Sequence, residues 1–154
     1  MTVTVGERAP AFSLPCTDGG TVSLDRLKGK KAVLHFYPKD DTSGCTKEAR
    51  DFQALKAEFA AADTAVVGIS SDGMGSHDRF RAKYGLEFPL ASDESRTVLE
   101  AFGVWVEKSM YGKTYMGTER TTVLLDRDGT VARVWPKVKV PGHAREVLEA
   151  ARAL

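Results

Sequence analysis

The chain has 154 residues, 42% of them hydrophobic and 28% charged, which suits one domain over residues 1–154 with its own core. Lys and Arg number 22 against 21 Asp and Glu, so the net charge of +1 gives no electrostatic footprint for a nucleic acid or a membrane surface. No apolar run approaches the ~18 residues of a bilayer span, and Met1 to Glu7 lack the basic and apolar regions of a signal peptide. In chain order, residues 11–24 read as two short extended pieces around Asp18-Gly19-Gly20, a hairpin signal. Ala32 to Tyr37 is a buried strand. Residues 43–61 read as one helix, with Thr42 or Ser43 as N-cap and Ala49, Phe52, Leu55 and Phe59 on one face. Thr64 to Ser70 is a second buried strand, 76–84 a helix stopped by Gly85, and Phe88 to Ala91 a short strand. Val98, Leu99 and Phe102 mark a helix ending near Gly103; 106–118, polar and glycine-containing, reads as a loop. Thr121 to Leu125 and Val131 to Trp135 flank Asp126-Arg127-Asp128-Gly129 as a strand–turn–strand unit, and 143–154 is a C-terminal helix. Strands alternating with helices predict an α/β fold, a central mixed sheet flanked by helices with an N-terminal β-hairpin.

The segment Pro38-Lys39-Asp40-Asp41-Thr42-Ser43-Gly44-Cys45 carries the chemistry. A strand feeds a polar loop, and Cys45 opens a helix. The unpaired N–H groups and partial positive charge of a helix N-terminus favour a thiolate over a thiol. Such a thiolate can attack the O–O bond of a peroxide, giving a sulfenic acid and water or an alcohol. The leaving oxygen needs preorganised donors. The Cys45 N–H and the Thr42 hydroxyl are candidates, and Pro38, without an N–H, can wall off water. Each residue also has a plainer reading: Cys45 as an inert buried thiol, Thr42 as a helix cap, Pro38 as a strand terminator, Asp40 and Asp41 as solvated loop charges. His35, His77 and His143 share no spacing and read as structural or solvent-facing; Trp105 and Trp135 read as packing residues. Two cysteines are too few for a secreted disulfide scaffold, and no Cys/His cluster has zinc spacing. The expected setting is cytoplasmic.

Pro38, Thr42 and Cys45 match the signature Pro-x-x-x-Thr-x-x-Cys, and Phe36 to Ala49 resembles the Q-type peroxiredoxins, also called bacterioferritin comigratory proteins. The resemblance extends through Phe12 to Pro15, Val67 to Ser70, Phe88 to Asp93 and Glu119 to Thr122, covering residues 5–150. It implies a thioredoxin-like fold and a thiol-dependent peroxidase acting on hydrogen peroxide or organic hydroperoxides. It further implies Cys45 as the peroxidatic residue, Thr42 and Arg120 as activators of the peroxide, Pro38 as a shield and Glu48 as the partner that orients an arginine. No metal, flavin or haem cofactor is implied, and the implied state is a monomer, with a weak dimer as the alternative.

The chain departs from the family where a second cysteine is concerned. The position five residues after Cys45 is Arg50, and the position on the next helix used by another subgroup is Arg81. Cys16 is the only other thiol, 29 residues before Cys45 and in the hairpin. The expectation is a one-cysteine mechanism reduced by an external thiol, either a thioredoxin-like protein or a low-molecular-weight thiol, with Cys16 as a minor alternative resolver. A thioredoxin-like reductase is disfavoured because Cys45-Thr46-Lys47-Glu48 lacks the second cysteine of Cys-x-x-Cys. A redox sensor that passes on its sulfenic acid stays open as another function class.

Overall fold

A computed structural model describes residues 3–154. Its centre is a five-stranded sheet in the order β5-β4-β3-β8-β9. These strands are Lys31–Phe36 (β3), Thr64–Ser70 (β4), Leu90–Ser92 (β5), Thr121–Leu125 (β8) and Val131–Trp135 (β9). The strands β3, β4 and β5 run parallel, and β8 and β9 run antiparallel to their neighbours, as a mixed sheet requires. Every residue of β3 is buried, Lys31 and His35 included, so this central strand shows no alternation of buried and exposed positions. Its side chains still alternate: Ala32, Leu34 and Phe36 enter one core, while Val33 and Tyr37 enter the other.

The first core lies under a small hairpin of Ser13–Pro15 (β1) and Thr21–Ser23 (β2), the single turn Leu24–Leu27 (α1), and Thr97–Ala101 (α5). The hairpin turns where Asp18 and Gly19 take positive φ, as the glycine pair suggested. The second core packs Ser43–Ala54 (α2), Lys56–Ala61 (α3), Met74–Tyr84 (α4) and His143–Ala153 (α6) against the other face.

Two expectations are corrected. The helix read over 43–61 is interrupted at Leu55 (φ −101°, ψ 6°), which separates α2 from α3. The apolar positions Ala49, Phe52 and Phe59 nevertheless remain buried together. The segment 106–118 is not a loop but a hairpin, Trp105–Met110 (β6) and Lys113–Thr118 (β7). Tyr111 and Gly112 both have positive φ, the geometry of a tight two-residue hairpin turn. This hairpin forms its own two-stranded sheet and is largely exposed. Only its base meets a core, where Trp105 packs and Thr118 is buried, so most of its sequence lacks the alternation that announces a strand. No helix among the described residues is long and apolar enough to cross a membrane.

Candidate active site

The site is assembled at the C-terminal end of β3. The strand ends at Phe36, and the chain passes through Tyr37 to Thr42 before α2 begins. Thr42 occupies the N-cap position, but its hydroxyl makes no cap bond; it donates instead to the Lys39 carbonyl at 2.8 Å. The helical ladder starts with the Thr46 N–H donating to the Thr42 carbonyl at 2.8 Å. The amides of Ser43, Gly44 and Cys45 therefore precede the ladder and have no carbonyl within the helix to bond. Cys45 sits in this first turn, 2% exposed. Pro38 is half-buried in the loop before it.

Arg120 comes from the other side of the sheet centre, immediately before β8. Its carbonyl accepts from the Val138 N–H at 2.9 Å, which anchors the backbone there. The guanidinium divides its donors: Nη2 points to Cys45 Sγ at 3.2 Å, and Nη1 donates to Glu48 Oε1 at 2.8 Å. Cys45 and Glu48 are one turn apart on α2, so one planar fork spans both. A Cβ at Gly44 would stand 3.2 Å from Arg120 Nη2. Glycine at this position gives the guanidinium room to reach the sulfur. The sequence alone left Gly44 unremarked; its signal was its place directly before Cys45.

The ground under this triad is dry. Glu48 is 2% exposed; burial pushes its carboxyl up to about 7, against the pull of Arg120, which favours the charged form. His35, from β3, brings Nδ1 to 3.9 Å from Glu48 Oε1. Complete burial drives His35 down to about 3, with His143 and Arg120 adding to the effect, so the ring is neutral. It stacks on Phe52 at 4.7 Å and on Tyr37 at 5.6 Å, and meets Phe88 edge-on. His143 is likewise held neutral by burial, at about 4, and its Nε2 bonds Thr122 Oγ1 at 2.8 Å. The histidines are structural, and all three are buried.

The loop is fastened to α4 by two aspartates. Asp40, read from sequence as solvated, is buried. Its carboxylate accepts from Tyr37 Oη (2.6 Å) and Ser76 Oγ (2.8 Å) and lies 2.7 Å from His77 Nδ1. A short acidic side chain next to an exposed one gives no sequence signal of burial; the partners lie 36 and 37 residues away. Asp41 is exposed, yet it holds Lys83 Nζ (2.8 Å) and Tyr84 Oη (2.6 Å). Asp40, Asp72 and His77 bring ligand atoms within 4.8 Å of one another. Protein donors already occupy them, since Asp72 Oδ2 accepts from the Asp40 N–H (2.9 Å) and from Ser70 Oγ (2.6 Å). The cluster is a hydrogen-bonded brace for the loop.

The remaining predicted positions fall elsewhere. Cys16 is buried in the first core and bridges to Ala91, whereas Cys45 belongs to the second core on the opposite face of the sheet. Arg50 is exposed on α2, and Arg81 pairs with Asp18 at 2.5 Å. Trp135 packs as expected, with Nε1 donating to Glu146.

Residues 5–134 match the AhpC/TSA family. A Coxiella burnetii protein assigned as a bcp peroxiredoxin is 51% identical over 148 residues, covering 96% of this chain and 98% of its own. Peroxiredoxin Bcp of Bacillus subtilis is 44% identical over 149 residues, covering 97% and 95% respectively. The solved structure of the Xanthomonas campestris bacterioferritin comigratory protein, studied for its alkyl peroxide reduction, superposes with a TM-score of 0.91 at 44% identity over 97% of this chain and 98% of that one. The chain thus belongs to the AhpC/TSA family, and within it to the Q-type, or Bcp, peroxiredoxins with their thioredoxin-like fold.

Proposed function

We propose that Cys45 is the peroxidatic residue and that the chain reduces hydrogen peroxide and alkyl hydroperoxides. The observation that carries this reading is the Arg120 guanidinium, 3.2 Å from Sγ at the first turn of α2. It stabilises negative charge on the sulfur and offers donors to the peroxide. The Thr42 hydroxyl already donates to the Lys39 carbonyl, so its lone pairs are left to accept from the peroxide O–H. Pro38 shields the sulfur, and Glu48 holds Arg120 in place.

Sulfur attack forms the S–O bond and breaks O–O, leaving a Cys45 sulfenic acid and an alcohol or water. Reduction comes from an external thiol through a mixed disulfide, supported by the location of Cys16 in the other core. The chain acts as a monomer in the cytoplasm, where such thiols are kept reduced.

The test is one equivalent of hydrogen peroxide on fully reduced protein, a sulfenic-acid trap, and intact mass without reductant. A trapped monomer carrying one oxygen at Cys45, absent from Cys45→Ser, is the expected result. Loss of two hydrogens within one chain would make Cys16 the resolver. No change within seconds would overturn the peroxidase reading.

A further inference from the structure

Among the described residues, Arg120 is the one cation in contact with both Cys45 and Glu48. If both were ionised, two anions would share one guanidinium in a site from which water is excluded. Glu48 is 2% exposed and Arg120 only 16%. Charges removed from water at this cost are retained only when paired. Among the described residues, no other cation bonds either side chain. His35, facing Glu48 from β3, is neutral, and so is His143 on α6. Asp51, further along α2, adds negative charge. Lys108 on β6 feels Arg120 and the sulfur through space but bonds neither; burial and the arginine lower it from its ordinary value, against the pull of Cys45 and Glu119. Glu48 Oε1 is engaged by Arg120, while Oε2 is buried without a partner. A bare carboxylate oxygen there is unfavourable, whereas a carboxylic acid places its proton on it.

We propose that Glu48 is the proton store of the Cys45 thiolate: the two side chains share one negative charge across Arg120, and Glu48 holds the proton while the sulfur is anionic. This rests on Cys45 being the nucleophile and goes beyond the orienting role given to Glu48 above. The oxidation step then balances within the site. The thiolate lone pair forms the S–O bond with the terminal hydroxyl of the hydroperoxide. The O–O electron pair departs on the other oxygen, which takes up one proton, and Glu48 gives up its own as the charge leaves the sulfur. Sulfur is oxidised by two electrons and the peroxide is reduced by two. The sulfenic acid is neutral, so the single negative charge ends on Glu48, still paired with Arg120.

Infrared difference spectroscopy on the full chain at pH 7, before and after one equivalent of hydrogen peroxide, tests this. The expected result is loss of one protonated-carboxyl C=O stretch per chain and gain of one carboxylate pair of bands. Glu48→Gln, which keeps the shape and an oxygen for Arg120, abolishes the change, and Cys45→Ser shows none. Intact mass on the same samples separates the two ideas. If Cys45 gains an oxygen and the carboxyl band does not change, or changes equally in Glu48→Gln, the proton store is refuted and the peroxidase reading survives. If Cys45 gains no oxygen, the peroxidase reading itself fails.

Discussion

His35 makes a quantitative test of how this site is held together. It lies in the central strand, 1% exposed, with both ring nitrogens unbonded and the ring stacked on Phe52. Burial takes it from its ordinary 6.5 to about 3. The unfolded chain binds a proton on this ring below pH 6.5, and the folded chain does not until about pH 3. Stability from this residue is therefore complete above 6.5 and is lost as pH falls toward 3. At about 1.4 kcal/mol per pH unit, the loss reaches about 3 kcal/mol by pH 4, a large share of a typical domain's stability. His35→Leu removes the titration while keeping an apolar side chain. Urea unfolding of both proteins at pH 7, 5 and 4 gives the difference directly. His143 titrates in the same direction in both proteins and largely cancels. The variant should gain about 3 kcal/mol relative to the parent between pH 7 and pH 4. Parallel stability curves over that range would refute the account of His35 as a ring kept neutral by burial.

Arg120→Ala removes a charge-assisted bond to sulfur and leaves Glu48 buried without its cation. A loss of roughly 1.5–3 kcal/mol predicts a second-order rate with hydrogen peroxide about 10- to 100-fold lower, read by stopped flow. Gly44→Ala pushes the guanidinium off the sulfur and should slow the same rate without changing urea stability by more than about 0.5 kcal/mol; an unchanged rate would refute the need for close approach. Gly68→Ala places a Cβ 2.9 Å from Leu90 Cδ2 and 3.0 Å from His35 Cε1, so unfolding free energy should fall by about 1–3 kcal/mol. Asp40→Ala strands Tyr37, Ser76 and His77; a loss of about 3 kcal/mol in urea unfolding is expected, and a neutral result would mean the loop is not braced there.

The buried strands β3 and β4 were legible because a long run of β-branched and aliphatic residues has few other uses. Cys45 was legible because its loop has the grammar of a strand feeding a helix, reinforced by a family signature. Arg120 followed from the resemblance alone, since an arginine before a strand carries no local mark of pointing inward. The β6–β7 hairpin was hidden because it buries little beyond its base at Trp105 and Thr118, and Asp40 because burial of a carboxylate depends on partners far along the chain. The break at Leu55 lies in an unbroken amphipathic pattern that continues on either side of it. Periodicity reports which side chains turn inward, not whether the backbone between them stays in register.

The 2% exposure of Cys45 has a kinetic consequence. While the first turn of α2 is wound, a sulfur this buried is harder for a bulky thiol to reach than for a small peroxide. If recycling needs that turn to open, it includes a gating step whose rate belongs to the fold. The loop that must yield is tethered at Asp40 and Asp41, so these two tethers set the gate's stiffness. Raising the thiol concentration should bring turnover to a plateau that no choice of reductant exceeds. That plateau measures how often the helix start lets go.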